Sequence, residues 1–253
     1  MLSLAYTEAY HASGAAKFKL TAKETLDYVL RNLASIEGGF YSAEDADSES
    51  EEGKFYLWTE EEIKQALPQQ EADLAIKLFA VKPEGNYYET PKGRNGKNIL
   101  HFGKPLEQGA SESNLSIDEL IVKLGKIRNI LFEKREKRVH PAKDDKILVD
   151  WNGLMIAALA RVSQVLGEKK YLQAAVKAAD FVLKEMKNED GRLYHRYAKG
   201  EKAVEGFLDD YAYFVFGLVE LYEACFEEKY LQACLDLTKM MIAEFWDEKA
   251  GGF

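Results

Sequence analysis

Residues 154 to 194 read LMIAALARVSQVLGEKKYLQAAVKAADFVLKEMKNEDGRLY, and the plan of this stretch recurs twice elsewhere in the chain. LSLAYTEAYHASGAAKFKLTAKETLDYVLRNLASIEGGFY (2 to 41) and YFVFGLVELYEACFEEKYLQACLDLTKMMIAEFWDEKAGGF (213 to 253) share it. Each is an apolar helix, a tight link, a second amphipathic helix and a closing turn of glycine with an aromatic or apolar residue. Gly14 and Phe18 align with Gly167 and Tyr171 at an offset of 153, which also carries Gly38, Phe40 and Tyr41 onto Gly191, Leu193 and Tyr194. An offset of 59 carries KYLQA at 170 to 174 onto KYLQA at 229 to 233, with one extra residue before the last Gly-Gly-Phe.

The first helix of each pair is apolar around most of its circumference and the second along one stripe. The first is therefore expected to be buried on nearly all sides and the second on one. Inner helices ringed by outer ones, an all-α α/α barrel or toroid, satisfy that pattern; a flat helical solenoid is the competing form.

The segment from 54 to 150 breaks the period. KFYLW alternates like a strand, Thr59 with Glu62 forms a capping box, 69 to 81 reads as a helix, and Ser116 with Glu119 caps a long helix to about Lys137. Between them lies a Gly/Asn/Pro-rich β excursion near residues 84 to 103, where Asn95-Gly96 suggests a hairpin turn. The expectation is a single domain over 1 to 253 with about four helix hairpins, in which 38 to 150 holds a degenerate hairpin and the β insertion. The first repeat lacks its inner-helix start and the chain stops on Gly-Gly-Phe, so a fragment of a longer barrel is expected.

The chain has 253 residues, 47% apolar and 30% charged, with net charge −9 and pI near 5.2. That suits a soluble protein with a large core, and without a basic stripe nucleic acid and anionic membranes are poor partners. EKREKR at 133 to 138 alternates in sign and reads as a solvated face. With no run of 18 apolar residues and no signal-peptide pattern, the expected location is cytoplasmic. Cys225 and Cys234 lie in apolar helical stretches without partners at metal spacing, so neither metal nor cofactor is expected.

In such hairpins every inner-to-outer link emerges at one end and every outer-to-inner link at the other. The second set, 38 to 53, 139 to 150 and 188 to 210, is long and holds the unusual polar residues. Function is expected on that rim, beside the N-termini of inner helices. GGFYSAEDAD at 38 to 47 begins an acidic run whose Asp45, Asp47 and Glu49 resemble the start of a calcium loop. Ser50 and Tyr56 stand where glycine and glutamate are needed, which excludes an EF-hand. Asp45 and Asp47 either enter a site or cap the turn; Tyr41, Glu44 and Trp58 flank them.

DDKILVDWNGL (144 to 154) places Asp150, Trp151 and Asn152 at an inner-helix start, where Asp150 or Asn152 caps the helix or Trp151 and Asn152 hold a sugar ring. In FLDDYAY (207 to 213) the 59 offset puts Asp209 on Asp150 and Asp210 on Trp151. Paired carboxylates at a cavity suit glycosidic-bond chemistry. His195 and His140 fall on the same rim and could act as a pair in proton abstraction beside a sugar carbonyl; His101 lies in the excursion and His11 toward the opposite end.

GGFYSAEDADSESEEGKFYLWTEEEI, EGN followed by GKNIL, DDKILVDWNGLMIAALA and GFLDDYA resemble the YyaL-like, spermatogenesis-associated thioredoxin-domain-containing proteins, through nearly the whole chain. The resemblance implies a region similar to six-hairpin glycosidases and N-acylglucosamine 2-epimerases, joined in full-length members to a thioredoxin-like domain that this chain lacks. That domain becomes a candidate partner. The chain departs from the family pattern at Val149-Asp150, where a small polar pair before WNG is expected.

Two functions follow as expectations. One is a carbohydrate-active barrel, glycosidase-like or epimerase-like, with Asp45, Asp47, Asp209 and Asp210 as the acid/base pool and Tyr41, Glu44, Trp58, Trp151, Asn152, Tyr211 and His195 around a sugar or glycan ligand. The other is a non-catalytic module docking a glycan or a protein partner. Carboxylates about 5 to 10 Å apart across a cavity favour hydrolysis; a histidine pair favours epimerisation; a filled rim favours binding alone.

Overall fold

A computed structural model describes the chain at all residues except 89–92 and 94. In chain order the elements begin with α1 (Leu2–Ser13), α2 (Ala16–Asn32), β1 (Ala43–Glu44), β2 (Asp47–Ser48), β3 (Glu51–Glu52), α3 (Glu60–Ala66) and α4 (Gln69–Leu78). There follow α5 (Leu106–Glu112), α6 (Ile117–Arg135), β4 (Lys143–Asp144), β5 (Ile147–Leu148), α7 (Val149–Leu166) and α8 (Lys169–Glu185). The chain closes with β6 (Tyr194–Ala198), β7 (Glu201–Glu205), α9 (Leu208–Cys225) and α10 (Glu228–Phe245). The fold is mostly helical, with small sheets.

The single domain expected over 1 to 253 separates into two compact units, Met1–Ala43 with Lys143–Phe253, and Glu44–Ala142. In the first, the three repeats are three helix hairpins, α1/α2, α7/α8 and α9/α10. The inner helices lie side by side, α1 on α7 and α7 on α9, each carrying its own outer helix.

Burial follows the sequence pattern at the middle pair. Of the other two inner helices, α1 buries only Ser3 and Thr7, and α9 buries one stripe, Asp210, Tyr211, Phe214, Gly217, Leu218 and Leu221, so neither is enclosed on all sides as expected. α7 buries Val149, Gly153, Ile156, Ala157, Ala158, Leu159, Ala160 and Val162, residues from every side of the helix. α8 buries Tyr171, Ala175, Ala178, Ala179, Phe181 and Val182, a single stripe at spacings of three and four. Each fully buried large apolar side chain contributes about 1.5–3 kcal/mol, so this shared core is what holds the arc together. Cys225 and Cys234 are free thiols within it, and burial raises both.

The repeat extends to its joints. The inner helices end in the left-handed conformation at Gly14 (φ 68°), Gly167 (φ 71°) and, at the third equivalent position, Phe226 (φ 56°). The closing turns carry equivalent bridges, Ala34 to Phe40, Lys187 to Leu193 and Asp247 to Gly252. Outer helices are joined by a recurring triad: Asp27 of α2 accepts from Lys170 and Tyr171 of α8, and Asp180 of α8 accepts from Lys229 and Tyr230 of α10. Burial pushes the Tyr230 hydroxyl up to about 12, so it stays a proton donor to Asp180.

At Gly153 and Gly217 the inner helices touch backbone to backbone. A Cβ on Gly153 would lie 2.6 Å from the Phe214 amide nitrogen, and one on Gly217 would lie 2.5 Å from the Gly153 carbonyl oxygen. The glycine of DWNG therefore sets the closeness of α7 and α9.

The second unit has its own core of Trp58, Ile63, Leu67, Ala75, Leu78, Leu120, Leu124, Ile127 and Leu131, built by four helices in place of the one degenerate hairpin expected. Both capping boxes, Thr59 with Glu62 and Ser116 with Glu119, are formed. The β excursion expected near 84 to 103 falls partly outside the described residues; within them Asn98 bridges Trp58 and Gly96 has φ +80°. Among the described residues no helix is long and apolar enough to cross a membrane.

Candidate functional site

Three segments converge in the first unit. β5 runs directly into α7, β6 pairs with β5 so that Leu148 lies opposite Arg196, and β7 returns the chain to the start of α9. His195 on β6 is thereby held beside the first turns of α7 and α9.

Asp210 is the centre of this junction and is 0% exposed. Its Oδ2 accepts the Phe207 N–H (2.8 Å) and its Oδ1 the Asp150 N–H (3.1 Å), while His195 Nδ1 lies 3.0 Å from both oxygens. One carboxylate thus caps its own helix, ties the next inner helix and orients the imidazole. Because the atoms facing Nδ1 are acceptors, Nδ1 carries a proton, and in the neutral ring Nε2 is the acceptor. Nε2 makes no hydrogen bond among the described residues, and the ring meets Phe207 edge-on with centroids 5.2 Å apart.

Asp150 completes the cluster. Its Oδ1 accepts the Trp151 N–H (2.8 Å), but burial, helped by the negative charge of Asp210, raises its carboxyl above the ordinary aspartate value. It therefore holds a proton more readily than a solvated aspartate. Trp151 stands beside it, 53% exposed. Asp150, His195 and Asp210 offer ligand atoms within 4.8 Å of one another. Both Asp210 oxygens already accept N–H groups, so a cation bound through His195 Nδ1 would have to replace the proton that this nitrogen shares with Asp210.

The other expected site residues are placed as follows. Asp209 is exposed on the first turn of α9. Asn152 is 1% exposed, its amide bonded to the N–H and C=O of Phe40 and to the Leu148 carbonyl, which stitches the Gly-Gly-Phe turn to α7. Tyr211 is buried, its oxygen accepting the Leu193 N–H and its hydroxyl donating to Met240 Sδ. Tyr41 is partly buried against the core of the first unit, and its N–H donates to Leu33.

Glu44, Asp45, Asp47 and Trp58 belong to the second unit. Glu44 accepts from the Tyr56 hydroxyl (3.0 Å). Asp45 Oδ1 accepts the Asp47 N–H (3.0 Å), closing the turn that leads into the hairpin of β2 and β3. Trp58 is 5% exposed, with the Arg138 guanidinium 4.2 Å over its ring. His140 is also here, its Nε2 on the Glu136 carbonyl and its ring against Phe55. Asp150 is the cluster member that sequence alone weighed mainly as a cap; its 59-residue equivalence to Asp209 was the available signal.

No family model matches the chain. Spermatogenesis-associated protein 20 of Homo sapiens is 35% identical over 279 aligned residues, covering 100% of this chain and 36% of that protein. The chain spans about a third of the length of the curated relatives it matches. Among solved structures, a D-mannose isomerase aligns at 15% identity and TM-score 0.43, covering 100% of this chain and 61% of the other. A sugar epimerase from a ruminal bacterium aligns at 18% identity and TM-score 0.38, covering 99% and 76%. Similar from end to end to proteins about three times its length, the chain belongs to the family of spermatogenesis-associated protein 20.

Proposed function

We propose that the heads of α7 and α9, with His195 of β6, form an acid–base site for a sugar or related hydroxy-carbonyl compound. The observation that carries this is the His195 to Asp210 contact, Nδ1 at 3.0 Å from both oxygens of a fully buried carboxylate. Such a contact fixes the imidazole and leaves Nε2 to take a proton. Asp150, with its carboxyl raised by burial, supplies the acid beside that base. Trp151 and Phe207, both exposed, offer apolar surfaces for the C–H face of a ring.

Proton transfer next to a carbonyl, as in isomerisation or epimerisation, suits this set better than glycosidic hydrolysis. Hydrolysis requires two carboxyl groups free to protonate a leaving group and to attack or to activate water. Asp210 is held by three N–H donors and plays neither part. Its role is positioning.

Solvent deuterium exchange tests the proposal. The chain, and in parallel a full-length relative, are incubated in D2O with aldoses, ketoses and N-acyl sugars, and NMR follows deuterium entering beside the carbonyl. His195→Gln is expected to lower exchange at least about 100-fold, while Asp209→Asn leaves it near wild type. Binding without exchange in the wild type would reduce the site to a glycan-binding module, and the absence of both would sink the sugar reading.

A further inference from the structure

Glu8 of α1, Arg161 of α7 and Glu220 of α9 are related by the 153- and 59-residue offsets of the repeat, so three adjacent inner helices present charge at one level. Glu8 grips Arg161 through two contacts, Nε to Oε1 at 2.6 Å and Nη2 to Oε2 at 3.2 Å. Glu220 is half-buried and makes no hydrogen bond among the described residues. Burial and Glu223 raise its carboxyl above the ordinary glutamate value, although Arg161 is close enough to oppose them.

The level of this cluster is set by helix geometry. Asp150 and Arg161 are eleven positions apart on α7, three turns, so they share one face about 16 Å apart along the axis. Asp209 and Glu220 stand in the same relation on α9. Between them, at equivalent positions one turn on from the aspartates, come Leu154 and the exposed Tyr213. One face of the α7 and α9 pair thus carries Asp150 of the acid–base cluster and the exposed Asp209 at its head, an aromatic ring next, and the Glu8, Arg161 and Glu220 group at its far end, while Asp210 lies in the buried stripe of α9.

A structural ion pair accounts for Glu8 and Arg161. It does not account for Glu220, whose partly buried carboxyl costs stability while it lacks a hydrogen-bonding partner. The guanidinium has N–H groups left over after Glu8 has taken two, and Glu220 has its full bonding capacity free. Together they suit neutral hydroxyl groups, which both donate and accept.

We infer that the ligand of the acid–base site is an oligosaccharide, whose end unit lies at Asp150 and His195 and whose further units run past Tyr213 to hydroxyl contacts with Arg161 and Glu220. This rests on the sugar reading above. A single ring does not span the two levels.

Calorimetric titration with gluco- and manno-oligosaccharides of increasing length, from one unit to four, tests it on the whole chain, on Glu220→Gln and on Tyr213→Ala. Wild type is expected to gain about tenfold in affinity from one unit to three. Both variants should lose most of that gain while binding the single unit as before, neither with a lowered melting temperature and Glu220→Gln with a slightly raised one, since it removes a partly buried charge. Affinity independent of length, with deuterium exchange intact, would overturn this inference and leave the acid–base site standing; no binding at any length would bring down both. Variants that shift the melting temperature yet keep the gain with length would make the cluster structural and overturn the inference.

Discussion

Two carboxyl groups, one on the first turn of each of two neighbouring inner helices, meet opposite fates. Asp210 is wholly buried but has its charge met by three N–H donors, whereas Asp150 has one N–H and faces the charge of Asp210. A carboxyl whose folded value is raised contributes stability that is complete below its unfolded value and lost as pH rises through the folded one. Asp150 should therefore cost the protein stability from the mildly acid range upward. Asp150→Asn keeps an oxygen for the Trp151 N–H and removes the charge. It is expected to be about 0.5–1 kcal/mol more stable than wild type at pH 7.5 and equal to it near pH 3.5, a modest figure because the group is partly solvated. Paired thermal melts at the two pH values check this; a variant less stable at both would show that the raised carboxyl is not a burden on the fold.

At the scale of elements, the contact of α7 with α9 rests on two residues without side chains. Gly153→Ala drives a Cβ into the backbone of Tyr213 and Phe214, which cannot rotate away, so the helices must separate and the core between them opens. A loss of about 3 kcal/mol or more is expected in urea unfolding. Gly125→Ala, in the middle of α6 with nothing within 4 Å of the added carbon, should instead gain about 0.5–1 kcal/mol from helix propensity. Equal effects at both glycines would mean that propensity, not helix approach, governs Gly153. The hairpins, their turns and the capping boxes were legible beforehand because apolar period and turn chemistry are local. The duties of Asn152 and Tyr211 were not, since each bonds to backbone far along the chain, Phe40 and Leu193, and no spacing announces such partners. Trp58 was misleading for a related reason: an aromatic strand beside an acidic loop looks the same in sequence whether it lines a site or fills a core. The row of Glu8, Arg161 and Glu220 was written in the repeat offsets all along, but alternating charges on helices are common and only the unpaired state of Glu220 sets them apart.

At the scale of the whole molecule, the repeat did not announce that the chain between hairpins one and two builds a core of its own. α1 packs directly on α7, so the first unit continues its arc across residues that are distant in sequence. The segment between them is joined at its ends, the Asp45 N–H donating to the Ala142 carbonyl at 2.7 Å, and the first unit is joined just outside, the Ser42 N–H donating to the Lys146 carbonyl at 2.8 Å. That is the connection of an inserted domain, which leaves its host intact when removed. Replacing 44 to 142 by a short Gly/Ser linker should thus yield a first unit that melts cooperatively and keeps the sugar-dependent exchange, because His195, Asp150 and Asp210 all lie within it. The excised segment should also melt as one transition, carried by Ile63, Leu78, Leu120 and Ile127. If the shortened chain folds but loses exchange, Asp45 and Asp47 return as candidates for the reaction. If it fails to fold while the full chain folds, the inserted unit is part of the host's stability, and the acidic loop is there to hold the turn.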